Sequence, residues 1–219
     1  MIIGDKMKEI KIIENVILYT NDNIDTKIID AIRFKMLNVM EFFQIDNISK
    51  KVIIRIWNDR NKFKDTVCKL EGYDDLPLWA IGNARNEKNE DICYIDKLSL
   101  AETKKIEYHK DATLTDFINS IVHEFVHICH TIFTGYNYPD KIWITEGIAT
   151  YLSDQYPDCD LNVSKEELFG KKVVTYENYR FLYNYIFENY SYEEILSLLK
   201  SDETVVSKIC DEFSNSKSI

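Results

Sequence analysis

The run SIVHEFVHICHTIFTGYNYPDKIWITEGIATYLSDQ, from Ser120 to Gln155, holds three of the chain's four histidines. From Thr113 onward the periodicity is helical, with Thr113 or Thr115 as N-cap and Gly135 marking the end of a long helix. His123 and His127 are i and i+4 on that helix, so both imidazoles leave one face about 6 Å apart along the axis. Two imidazoles at that spacing can close on a single ion, and catalytic zinc sites use three protein ligands with a fourth position open. Glu124, next to the first histidine, is placed to act as a general base without ligating. His130 continues the stripe but stands about 10 Å along the axis from His123, too far for both to hold one ion; it reads as a supporting or structural residue. His109 precedes the helix in a polar stretch and is given no role.

Ahead of this helix the pattern is different. EIKIIENVILYT (9–20) and KKVIIRIWND (50–59) alternate β-branched and polar residues, as half-buried strands do. Between them, Asp25 to Phe43 places Ile28, Ile29, Ile32, Met36, Leu37, Met40 and Phe43 at helical spacing, and a second helix covers Arg60 to Glu71. LWAIGNAR (78–85) and EDICYIDK (90–97), joined by the polar NEKNE, predict a hairpin. Beyond the histidine run, TYENYRFLYNYIFENY, SYEEILSLLK and ETVVSKICDEF continue as helices. A strand-rich half followed by a helical half predicts an α+β fold: a single unit over 1–219, with a mixed subdomain 1–112 and a helical subdomain 113–219.

Composition narrows the function. The formal charge is −10, acidic and basic residues are interspersed, and no basic cluster tracks phosphates, so nucleic acid is excluded as the main partner. Every short apolar run near the N-terminus is broken by charge, which predicts neither a signal segment nor a membrane span. The five cysteines are scattered, odd in number and never in a C-x-x-C pair, the pattern of free thiols in a reducing, cytoplasmic compartment.

WITEGIATY, Trp143 to Tyr151, places Glu146 after His127 with eighteen residues between them. In these two motifs the chain resembles the gluzincin metallopeptidases, in particular the aminopeptidase N-like branch, where His-Glu-x-x-His is followed at that interval by a Trp-Leu-Asn-Glu-Gly-Phe-Ala-like segment. Trp143, Glu146, Gly147, Ala149 and Tyr151 match, while Ile144, Thr145 and Ile148 depart from it. The resemblance implies a zincin-like fold and one Zn2+ per chain held by His123, His127 and Glu146. It implies peptide-bond hydrolysis with Glu124 as base and a peptide or protein as substrate. Thr150 stands where thermolysin-like members carry an aspartate bonded to a histidine ligand. YENYRFLYNYIFENY is similar to the branch's Tyr-Glu-Lys-Gly segment, which makes Tyr176 the oxyanion donor, with Tyr179 as the substitute. In a chain with fourteen tyrosines a packed helix tyrosine is the other reading.

The short span resembles the compact bacterial peptidase-MA-like gluzincins, whose core sets an edge strand ahead of the active-site helix. AIGNAR or DICYI is that strand here, with Ile81, Gly82, Asn83 and Ala84 as substrate-binding residues. The branch's Gly-x-Met-Glu-Asn strand, which anchors a free α-amine, has no counterpart; Arg85 lies near that place, either directed into the cleft or exposed at the strand end. An endopeptidase follows. The alternative is a catalytically weak, zinc-containing peptide-binding or regulatory protein, against which the intact Glu124 argues.

Overall fold

The computed structural model describes residues 7–161, 164–170 and 174–215. The chain forms two compact units, Met1–Cys129 and His130–Ile219. The first contains β1 (Lys8–Ile13), β2 (Val16–Thr20), α1 (Thr26–Phe42), β3 (Lys51–Trp57) and α2 (Arg60–Glu71). It continues with β4 (Gly82–Arg85), β5 (Ile92–Leu98), the short α3 (Leu100–Thr103), a 3-10 turn at Glu107–His109, and α4 (Leu114–Phe133), within which the division falls. The second contains α5 (Ile142–Leu152), α6 (Lys165–Leu168), α7 (Tyr176–Asn189), α8 (Tyr192–Leu199) and α9 (Glu203–Asn215).

A mixed five-stranded sheet with helices fits the α+β expectation. Its order is β1-β2-β3-β5-β4. β2 pairs parallel to β3, and β3 parallel to β5, while the outer pairs β1/β2 and β4/β5 are antiparallel. The first strand-like run is divided into two strands, because Ile13 pairs with Val16 and leaves a two-residue turn. Asn15 takes φ 61° there, a left-handed conformation that asparagine tolerates better than most residues. Asp25 caps α1 by accepting from the Lys27 N–H at 2.8 Å. Of the positions expected on its buried face, Ile29, Ile32, Met36 and Met40 are buried, but Leu37 is 47% exposed. Gly72, at φ 72°, ends α2 in the left-handed cap that glycine adopts without a Cβ clash.

Alternation splits the sheet into two unlike faces. Val16, Leu18, Val52, Ile54, Cys93 and Ile95 are fully buried on one side, each worth about 1.5–3 kcal/mol for a Val, Leu or Ile side chain. On the other side, Leu98 packs with Phe63 and Val67 of α2, and Arg55 makes a bidentate pair with the buried Asp96 while its guanidinium lies 4.4 Å from the Tyr94 ring centroid.

Thr113 caps α4: its Oγ accepts from the Asp116 N–H, and the Asp116 carboxylate accepts from the Thr113 N–H at 2.7 Å. The Thr113 reading of the N-cap therefore holds over Thr115. At the other end Gly135, at φ 61°, closes the helix, and the Tyr136 N–H returns to the Thr131 carbonyl. In the second unit α5 packs on α7. A Cβ at Gly147 would overlap the Tyr183 ring, so this glycine serves the α5–α7 approach, with the Tyr183 hydroxyl donating to the Ile144 carbonyl at 2.9 Å. Trp143, the first residue of the WITEGIATY match, is core, its ring edge-on to Phe169.

Candidate functional site

The histidines of α4 converge as their spacing requires. His123 is buried and His127 half-buried, and their Nε2 atoms stand 3.1 Å apart. Two imidazole lone pairs at that distance repel unless something positive lies between them, either a shared proton or a cation. Nitrogens at about 2.0–2.1 Å from one tetrahedral ion lie roughly 3.3 Å apart, so the pair fits a zinc ion. Among the described residues, His123, His127 and Glu146 form a group whose possible ligand atoms all lie within 4.8 Å of one another. Two neutral imidazoles and one carboxylate are a donor set suited to zinc and leave the ion a net positive charge.

Glu124 is directed at the edge strand. A Cβ built on Gly82 would sit 2.5 Å from Glu124 Oε1 and 3.3 Å from its Cδ, so the carboxylate lies against β4 in a space that a side chain at 82 would fill. β4 is the outermost strand of the sheet, and no strand pairs with its far side among the described residues. The Ile81 carbonyl turns inward, accepting from the Leu98 N–H at 2.9 Å. Backbone groups alternate sides along an antiparallel strand, so those of Gly82 and Ala84 are directed at the open edge.

Side chains of the four expected substrate-binding residues divide. Gly82 faces Glu124, and Ala84 shares its side of the strand. Ile81 packs instead into the cluster of Phe63, Val67, Leu98 and Ile106, and Asn83 donates to Glu71 of α2 at 3.1 Å. Pleating is the cause: a four-residue strand cannot show all its side chains to one face. Arg85 takes neither of its expected places. Its guanidinium is 17% exposed, donates to the Leu70 carbonyl and pairs with Glu90 at 2.6 Å.

His130 is fully buried, bonded through Nε2 to the Leu199 carbonyl at 2.7 Å and tilted against Tyr138. It ties the last turn of α4 to α8 and stands outside the metal-binding group. His109 contacts the Trp79 carbonyl through Nε2. Tyr176 opens α7 with its ring stacked on Tyr156, 6.5 Å between centroids. Tyr179, one turn on, is buried: burial raises its pKa, the Val174 N–H bond to its hydroxyl opposes this, and the Glu146 charge raises it further. Thr150 is fully buried in α5, and its hydroxyl oxygen has no hydrogen-bond partner among the described residues.

Sequence reasoning missed Lys97. This lysine of β5 is fully buried, its Nζ donating to the Ile81 carbonyl at 3.1 Å and lying 6.0 Å from the Phe117 ring centroid. Burial pulls its pKa down to about 7, opposed by the negative charge of Glu124. The signal was available, since Lys97 has the parity of Cys93 and Ile95 in a strand whose odd positions face the core.

That burial has a measurable cost. The unfolded chain keeps the Lys97 proton to about pH 10.4, whereas the folded chain releases it near 7. Between these values the unfolded state binds more protons, so stability rises with pH across the window and the full penalty applies below it. The shift corresponds to about 5 kcal/mol as an upper bound. Denaturant melts of wild type and Lys97→Met at pH 6 and pH 10 should show the variant more stable at pH 6, by roughly 1–5 kcal/mol, with the gap closing at pH 10. A gap that is the same at both pH values would mean that Lys97 is charged throughout.

No helix among the described residues is long and apolar enough to cross a membrane. No protein-family model, curated protein or solved structure matches this chain.

Proposed function

We propose that this chain is a zinc-dependent peptidase of gluzincin type that cleaves internal bonds of extended peptides. The observation that carries the reading is the grouping of His123, His127 and Glu146 within ligating reach of one another, with Glu124 between the two histidines in sequence and turned toward the edge strand. Those three residues would hold the zinc, which supplies Lewis acidity and a fixed positive charge.

The chain's own residues do the rest. The Gly82 and Ala84 backbone groups pair with an extended peptide and hold its carbonyl in register. Glu124 accepts the proton of the attacking water and later passes it to the leaving amine. A tyrosine of the first turn of α7 donates to the developing oxyanion: Tyr176 by its place in the motif, or Tyr179, which the Glu146 charge reaches. Five free cysteines suit a cytoplasmic setting.

Internal cleavage follows from what the edge strand lacks. β4 carries no carboxylate, and Arg85 at its end is already engaged by Glu90. An ammonium left unpaired in a half-buried cleft costs several kcal/mol, enough to erase selectivity for a free N-terminus. The test is a peptide library read by mass spectrometry, with each sequence present in free and N-acetylated form. Comparable internal cuts in both are expected; stepwise release of single residues from the free peptides alone would refute it.

A further inference from the structure

Lys97 is the strongest unexplained feature of the first unit. Buried lysines are rare because an ammonium removed from water is costly, and here the cost falls on the strand next to the candidate base. Gly82 and Lys97 are register partners in the β4/β5 pair, so their Cα–Cβ directions share one face of the sheet. That face is the one on which the Gly82 direction meets the Glu124 carboxylate. The Lys97 side chain therefore projects from the face on which that carboxylate lies, and its Nζ is tied to the residue immediately before Gly82.

We infer that Lys97 is a positioning residue: anchored on the Ile81 carbonyl, its ammonium holds the Glu124 carboxylate in the notch that Gly82 leaves on the edge strand. The hydrogen bonds fix the lysine head. The Ile81 carbonyl takes one N–H of Lys97 and also the Leu98 N–H, fixing the lysine head to the start of β4. Among the described residues the one anion whose charge bears on Lys97 is Glu124. The Lys97 charge also reaches His109, whose pKa is lowered chiefly by burial and further by the Lys97 and Arg60 charges, with the Trp79 carbonyl opposing. It cannot replace Glu124 as counter-charge. Glu124 is half-buried on α4, with three side-chain torsions to restrain, so a fixed cation and a glycine notch together select one of its orientations.

This inference rests on the peptidase reading for its purpose, but its geometry is testable without any activity. In the zinc-loaded full chain at pH 6, where Lys97 carries its proton, a proton–proton NOE between Gly82 Hα and Glu124 Hγ is expected, since Glu124 Cγ lies 3.4 Å from the Cβ position of residue 82. Lys97→Met, close in shape and uncharged, should weaken that NOE at least about 3-fold, while Lys97→Arg restores part of it. Lys97→Gln, which can still bond the Ile81 carbonyl, should weaken it as Met does and serves if the Met variant does not fold. On peptides that wild type cuts, Lys97→Met should lower kcat about 10-fold or more with KM within about 2-fold and zinc content unchanged. An undiminished NOE in both neutral variants overturns the inference whatever the activity. A lost NOE in a protein that cuts no peptide leaves the positioning role standing and overturns the peptidase reading.

Discussion

Glu124→Gln should lower peptide hydrolysis by about 100–10,000-fold while leaving zinc content and melting temperature unchanged. The substitution keeps the volume and planar shape of the side chain and removes its negative charge together with its capacity to accept a proton. Glu124 is half-buried and faces the backbone of a strand end, so its loss as an anion opens no cavity. Its neighbours in sequence, His123 and Phe125, keep their own packing. Lys97 loses a partner charge, and its pKa should then fall further below about 7. Full activity in Glu124→Gln would exclude Glu124 as the base and with it the mechanism. Equal peptide binding by both forms with no cleavage by either would instead select the reading of a peptide-binding module.

The parts of this molecule legible in the sequence are those fixed by local periodicity. HEFVH announces two imidazoles on one helical face because i and i+4 are neighbours on any α-helix, whatever surrounds it. The same holds for the Thr113 cap and for Gly135 at the end of α4, where local hydrogen bonds set the helix limits. What periodicity does not carry is pairing. KKVIIRIWND and EDICYIDK read as strands, yet nothing in either says that β3 lies between β2 and β5, parallel to both. Arg85 illustrates the limit most clearly: the resemblance puts it near the missing amine anchor, whereas its side chain bonds the Leu70 carbonyl of α2 and Glu90. Gly147 is legible as part of the WITEGIATY match, but nothing there names its packing partner, Tyr183 of α7, thirty-six positions later. Lys97 failed for another reason. Surface composition is dominated by charge, so a lysine at the end of a strand is assigned to solvent by default, and only its parity with Cys93 and Ile95 argues otherwise.

Glu146→Ala and His130→Ala should fail in opposite ways. Removing Glu146 deletes one of three donors from the group, and the two remaining imidazoles lack the anionic partner that neutralises half of the zinc charge. Zinc affinity should fall by about 100-fold or more, beyond the 10–100-fold typical of losing a residue that only supports a ligand. Folding should be little affected, because Glu146 is half-buried on α5 while the core of that helix is made by Trp143, Ile144, Ile148 and Ala149. His130 has the reverse profile. It is fully buried, packs on Tyr138 and satisfies the Leu199 carbonyl, so truncation leaves both a cavity and an acceptor without its donor. Those losses together amount to about 2–4 kcal/mol, or a fall in Tm of roughly 5–15 °C for a chain of this size. Zinc per chain, measured by atomic emission after dialysis against a weak chelator, should stay near one in His130→Ala and approach zero in Glu146→Ala. If the metal follows His130 and ignores Glu146, the third ligand has been misassigned, and the eighteen-residue interval on which the gluzincin reading rests loses its chemical meaning.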